Sequence, residues 1–515
     1  MADFANGGKI DPRATFSRSD TPPTYAAPSA VHYWSNEKHL SSENILLQSQ
    51  TLDTTWASYG LHSGTPLTGS ITAPDGTSTA WQLNANTGVT DAPLVYQQPT
   101  LKASTAYTAS VHVKSGTASH AYISIRGAAS HYAFAQIEFA SPSSVSTGGA
   151  GFTGISGTVT ALGSSWYRIS VTCTTSSSVS SPFLHVGLSD GSAFTTSGYP
   201  TFTTGAETLL VWGVQLNTTG ATDYNATTTS IHREYAPTLK SVATAGQPRF
   251  EYDPSADGQS AGTSLGILIE GQSTNLLTHS SEFSNGAAYN TFRATVVADV
   301  AVAPDGTLTA DALTVDATAA ANHGLDFSYN PGGATAQTIS VYAKAGTKSW
   351  LAFRFTPAGG TFNSSYAYYN LSTATTGFVS SGVTASAVDC GNGWVRCVAT
   401  ATANASGNNG QVNFYIGNGD QDLTFDGNSY DYVLLWGGQA EANASHASSL
   451  ISTSGAAATR AAESLSVTDS SLFDNGGGTL YAEASHNVLD EYNGVFAVSD
   501  GTGANTIEIL NDTSR

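Results

Sequence analysis

Tyr122 and Arg126 stand four residues apart in AYISIR, and Trp350 and Arg354 repeat that spacing in WLAFRF, 354 − 126 = 228 residues later. In an extended strand, residues at even spacing share a face. Each pair therefore sets an aromatic ring beside a guanidinium, while Ile123 and Ile125, like Leu351, Phe353 and Phe355, turn to the opposite, core side. A flat ring can stack on the C–H face of a pyranose, and a planar cation beside it can catch the hydroxyls. The preceding runs carry His112 and Lys114 in one case and Tyr342 and Lys344 in the other, on their less apolar side. The same face would serve equally to pack on a second sheet or a sister subunit. Trp81 is a further candidate contact. It aligns with Asp311 (311 − 81 = 230), and a place that accepts Asp in one copy is expected to be exposed; partial burial under a loop or in an interface is the alternative.

Catalytic patterns are missing. A glycosidase or lyase needs two carboxylates at a set separation, one with a raised pKa, and the acids here are sparse and scattered. There is no G-x-S-x-G elbow, P-loop or H-E-x-x-H. Cys173, Cys390 and Cys397 show no C-x-x-C spacing; Cys390 and Cys397 could meet across a hairpin, but two half-buried thiols are expected. The chain is therefore expected not to be an enzyme, with a polysaccharide depolymerase as the enzymatic alternative.

The elements that would position these residues are written twice. Asn44 of NILLQS, Ala73 of APDGT, Ser110 of SVHVKSG, Trp166 of SSWYRISV and Trp212 of LLVWGVQL recur in order as Asn275, Ala303, Ser340, Trp394 and Trp436. The offsets are 231, 230, 230, 228 and 224, a drift that loop insertions would produce between fixed strands. Short alternating runs between Gly, Asn, Asp, Ser and Pro clusters predict strands throughout and no amphipathic helix of three turns. The four tryptophans inside apolar runs are expected in the core, and Asp75 and Asp305 are expected to cap the APDGT turns.

The expected fold class is all-β: tandem antiparallel jelly-roll β-sandwiches. The boundaries read as an extended N-terminal arm over 1–41, jelly roll one over 42–235, a connector over 236–272, jelly roll two over 273–459, and the start of a third β domain over 460–515. Only 11% of the 515 residues are charged, and 18 Lys+Arg against 38 Asp+Glu give a net charge of −20. That balance repels phosphate backbones, so no nucleic acid is expected. No run reaches the roughly 18 apolar residues of a membrane helix, so no membrane insertion is expected. The opening MADFANGG lacks the basic and apolar regions of a secretion signal, which points to synthesis in a reducing cytoplasm.

NLLTHSSEFSN, APDGT, SVYAKAGTKSWLAFRF, GNGWVRC and LLWGGQAEA, preceded by PRFEYDP and GILIEGQSTNLL and followed by TRAAE, closely resemble tail-fibre and head-spike-fibre domains of tailed bacteriophages. The resemblance covers residues 231–515 well and 42–230 as a diverged first copy. It implies carbohydrate-binding-module-like jelly rolls followed by a laminin-G-like or concanavalin-like unit, on a virion surface protein assembled in the host cytoplasm. It also implies a homotrimer, docked through the arm to other virion proteins (capsid, portal or tail) and meeting host surface polysaccharide. Jelly rolls of this kind often hold a structural calcium near the closing strand, which singles out Glu207 and its counterpart Asp431 (431 − 207 = 224); a solvated or paired acid is the alternative. No other cofactor is expected. A purely structural spacer or clamp in the capsid or tail is the alternative function.

Overall fold

The structure, a computed structural model, describes residues 14–18, 31–162, 164–218, 220, 224–242, 247–254, 263–357, 361–404, 410–467, 493–499 and 506–511. Every element described is a β-strand, and every pairing between strands is antiparallel.

Each copy is a jelly-roll sandwich of two six-stranded sheets. In the first, the front sheet runs in the order Val145–Ala150, His131–Glu138, His120–Ala128, Phe183–Ser189, Leu94–Gln97, Ala57–Tyr59. Its back sheet runs Thr153–Ala161, Tyr167–Thr174, Ala106–Ser115, Thr208–Asn217, Ala80–Asn84, Leu67–Ile71. In the second, the front order is Thr375–Val379, Ser365–Asn370, Trp350–Phe355, Gly410–Gly417, His323–Tyr329, Asn290–Phe292. The back order is Val383–Asp389, Trp394–Thr402, Ala336–Ala345, Tyr432–Ala442, Leu308–Val315, Ala294–Val302. The two orders match strand for strand, so the repeated landmarks mark one topology used twice. Between the sheets lie Val111, Ile123, Ile125, Ile169 and Leu216 in the first copy, and Leu351, Phe353, Phe355, Val341 and Phe414 in the second, all fully buried. Burying such side chains stabilises each sandwich by roughly 1.5–3 kcal/mol apiece.

Asn44 and Asn275 close their sandwiches alike. The Asn44 Oδ1 accepts the Leu46 and Leu216 amides while its Nδ2 donates to the Val214 and Asn225 carbonyls. Asn275 repeats this with Leu277, Ala440, Gly438 and Ile451. The caps of the two APDGT turns are also twins: Asp75 Oδ1 accepts the Thr77 amide and Asp305 Oδ1 the Thr307 amide, each at 2.9 Å.

Three expectations are corrected. Residues 31–41 are not a free arm. Val31–Asn44 pairs along its length with His232–Val242, so the boundary at 235/236 cuts through a strand. Ala14–Arg18 pairs with Glu463–Val467, so the run AESLSV joins the N-terminal segment rather than a third sandwich. Of that third unit the described part is the hairpin of Asn493–Ser499 with Thr506–Asn511; GTLYAEASH, like residues 1–13 and 19–30, lies outside the described residues. The tryptophans are buried as expected but not between the sheets. Trp166 and Trp212 lie on the outer side of the back sheet with Ala73, Ala80 and Tyr224, and Trp394 and Trp436 lie on theirs beneath Trp34, Leu239 and Leu450. The second copy thus borrows its cover, Trp34 and Leu239, from the two-stranded ribbon of Val31–Asn44 and His232–Val242.

That joint is fastened by a buried ion cluster. Arg249, from PRFEYDP, is fully buried; its Nη2 meets Glu270 at 2.7 Å and also Glu463, its Nε donates to Glu463 at 3.0 Å, and its Nη1 donates to the His32 carbonyl and the Ser449 hydroxyl. Arg460 holds the same Glu270 at 2.9 Å. One guanidinium therefore ties the N-terminal strand, the connector and the second sandwich together. Although burial alone would raise it, the pairing with Arg460 and Arg249 holds the Glu270 carboxyl down to about 2. The sign follows: this contribution is complete above the ordinary carboxylate value near 4.5 and disappears as pH falls through about 2. It amounts to roughly 3 kcal/mol. Thermal unfolding between pH 7 and pH 2 should show the wild type losing this increment on acidification, whereas Glu270→Gln should start lower at pH 7 and lose less. Parallel acid profiles for the two proteins would contradict the assignment.

Candidate glycan-binding faces

Strand alternation places the candidates as their spacing requires. Ile123 and Ile125 point inward, and Tyr122, Ser124 and Arg126 lie on the outer side of the front sheet; Trp350, Ala352 and Arg354 do the same in the second copy. Arg126 faces Tyr132 on one neighbouring strand and Phe183 on the other. Arg354 faces Tyr366 and Asn413 at the matching places. A cross-strand Arg–Tyr pair is thus repeated at the same register in both sandwiches. The runs with His112, Lys114, Tyr342 and Lys344 do not add to these faces, since they belong to the back sheets. His112 is buried against Trp212 and Tyr224 there, and burial lowers its pKa to about 3.

Tyr122 is not a surface residue. It is fully buried, its hydroxyl has no hydrogen-bond partner among the described residues, and burial pushes its pKa well above the phenol value. The segment 190–200 folds back over it: Phe194 meets the Tyr122 ring edge-on at 5.2 Å and lies flat on Phe134, with centroids 3.6 Å apart and planes 7° apart. Ser124 donates to the Gly198 carbonyl and fixes the segment. In the second copy Leu423 (423 − 194 = 229) packs on Ala352, Tyr368 and Tyr415, and Trp350 keeps part of its surface.

Trp81 is half-buried against the first core, with its indole N–H donated to the Gln50 carbonyl at 2.8 Å. Its counterpart Asp311 is buried, and accepts the amides of Phe283 and Asp299 at 2.8 and 3.0 Å. The inference from Asp to exposure is therefore wrong. A donor in one copy and an acceptor in the other each tether the chain that follows the opening strand.

Arg126 and Arg354 are partly exposed. The first guanidinium stands 5.3 Å from the Phe183 ring centroid and its Nε has no partner. The second stands 5.5 Å from the Tyr366 centroid, with Tyr415 Oη at 3.3 Å and Ser364 Oγ at 3.4 Å. Arg249, Arg460 and Arg233 all hold carboxylates, Arg233 meeting Glu43 at 2.9 Å, but among the described residues neither face arginine has one. Rings surround both. Tyr132 and Phe134 stack in the first face, Tyr366 and Tyr368 in the second, and Phe378 beside them is 41% exposed. A ring left open beside a planar cation has the chemistry to stack a flat ligand, although Phe134 is covered by Phe194 and Tyr368 is buried.

The calcium expectation does not fit these residues. Both Glu207 oxygens accept the Gly205 amide, at 2.9 and 2.8 Å. Asp431 pairs with Lys348 at 3.1 Å and accepts from Asn428 at 2.9 Å. Among the described residues no three His, Cys, Asp or Glu side chains converge as metal ligands. All three cysteines are free and buried.

Sequence reasoning missed the cover segment and the ion cluster. The cluster had a signal: in a chain this poor in charge, PRFEYDP, LIEGQ and TRAAE concentrate Arg and Glu. Glu251 of the same motif is shifted by burial to about 7, against about 2 for Glu270, the divergence a glycosidase uses. Here, however, Glu270 is held by two arginines and the Ser449 hydroxyl.

No protein-family model and no curated protein matches the sequence. Among solved structures, the chain is similar to the N-terminal CBM22-1–CBM22-2 tandem domain of Xyn10C from Paenibacillus barcinonensis, at 11% identity and a TM-score of 0.22, covering 78% of this chain and 98% of that one. It is also similar to domains LG4-5 of the mouse laminin alpha1 chain, at 9% identity and a TM-score of 0.14, covering 87% and 92%. At such TM-scores the fold rests on the strand pairing described above.

Tyr122 separates packing from recognition. Tyr122→Phe removes only an unpartnered hydroxyl and should leave stability unchanged or raise it by up to about 1 kcal/mol. Tyr122→Ala should cost about 3–5 kcal/mol by opening a cavity beneath Phe194. Denaturant titration checks both, and a large loss in the Phe variant would mean that the hydroxyl has a partner.

Proposed function

We propose that this chain is a non-enzymatic fibre or decoration protein of a tailed-bacteriophage virion, whose two sandwiches present aromatic–arginine faces to host surface glycans. The observation that carries the glycan reading is the Arg–Tyr pair, Arg126 with Tyr132 and Arg354 with Tyr366, kept at one register on both front faces while neighbouring positions diverge. The virion setting is supported by the motif string, from PRFEYDP to TRAAE, that resembles fibre domains; trimerisation and docking to capsid or tail belong to the same proposal. Two shallow sites on one chain, multiplied in an oligomer, would raise avidity by roughly 10²–10⁴ over a single contact.

A second reading, a structural spacer between virion subunits, is favoured by Leu265 and Ile269, which are 60% and 45% exposed on and beside the connector hairpin. A glycan array with host envelope polysaccharides separates the two. The wild type should bind, Tyr132→Ala or Tyr366→Ala should each weaken binding at least tenfold, and the double variant should abolish it. Undiminished binding by a folded double variant would remove these faces as the site.

A further inference from the structure

The two face arginines also indicate what kind of glycan fits. We infer, resting on the glycan reading above, that the faces select sugars carrying a carboxylate within a mostly neutral polysaccharide.

Three observations lead there. The first is the missing counter-ion. In a chain with 38 acids and 18 basic residues, a guanidinium has acids to choose from, and Arg249, Arg460 and Arg233 have found them. Arg126 and Arg354 instead stand over Phe183 and Tyr366, and the buried Arg126 Nε has no partner among the described residues. Hydroxyl recognition alone would be served by Asn, Gln or Ser, which this chain uses freely; a planar fork of N–H donors matches a carboxylate in two parallel bonds. The second observation is that no other cation helps. His185, opposite Ser124 on the neighbouring strand, is buried, and its pKa is lowered to about 3 by burial and by Arg126, so it stays neutral. No other Lys or Arg lies on the described strands of either front sheet, so each front face carries one arginine. The third is the overall charge of −20, which repels a densely charged polyanion beyond the immediate contact. A ligand with one acid per repeating unit meets the arginine without carrying further charges against the surface.

On the second face the site has a further polar part. Asn413 lies opposite Arg354 in register, is 8% exposed, and its buried Oδ1 has no partner among the described residues.

The test is an array of bacterial surface polysaccharides, each spotted as isolated and after chemical reduction of its carboxyl groups to alcohols. Hits of the full-length chain should be acidic polysaccharides and should fall at least tenfold on carboxyl reduction. Arg126→Gln/Arg354→Gln should lose the same factor on native spots and nothing on reduced ones, while Arg126→Lys/Arg354→Lys retains part of the preference. Melting temperatures equal to the wild type show that the variants are folded. Hits that survive carboxyl reduction unchanged would overturn the inference and leave the glycan reading standing. An array without hits in either form would overturn the glycan reading itself.

Discussion

The alternation of side chains along each strand is the constraint from which the rest follows. Two sheets share a core in each sandwich, so every second residue is committed inward, and what remains is an outer surface on each sheet that must be solvated, covered or used. Ile123 and Ile125 cannot leave the core, and this obliges Tyr122, Ser124 and Arg126 to face outward. The four outer surfaces are then treated differently. The back sheet of the first copy is closed by its own Tyr224, and that of the second by Trp34 and Leu239 of the ribbon. Both front sheets are partly closed, by Phe194 and by Leu423, and leave an arginine and rings at the margin.

The joint between the copies follows the same logic. Covering the second back sheet brings the strand from 31 to 44 and its partner across it, and this buries polar groups that must be satisfied. Arg249, Glu270, Arg460 and Glu463 satisfy most of them together, with His32 and Ser449 taking the remaining N–H donors of Arg249 and the Arg460 Nε left without a partner among the described residues. Buried ion pairs add little over an apolar core but punish the loss of one member, which makes them suited to holding one arrangement of several segments.

Much of this was legible in the sequence. The duplication, the all-β class, the core-facing residues and the capped APDGT turns could be read because each depends on local chemistry: period two, turn residues, and order along the chain. Tyr122 shows where that ends. Its type and face were read correctly, yet its burial depends on eleven residues, 190–200, whose composition reads as a plain polar loop and whose Phe194 finds Phe134 only in three dimensions. Trp81 and Asp311 failed for another reason, because the same tether can be built from a donor or an acceptor and residue type then says nothing about exposure. The grouping of His112 and Lys114 with Tyr122 and Arg126 failed because consecutive strands need not be neighbours: Ala106–Ser115 and His120–Ala128 lie in opposite sheets. Arg126 and Arg354 were found because nothing long-range intervenes between strand register and their exposure.

Hydrogen–deuterium exchange of the full chain, with and without host envelope polysaccharide, addresses the central claim most directly. The account predicts slowed exchange in both front sheets around 120–138 and 350–370, with the back sheets and the Arg249 joint unchanged. Protection confined to the joint or the back sheets, with the front strands unaffected by saturating polysaccharide, would contradict it.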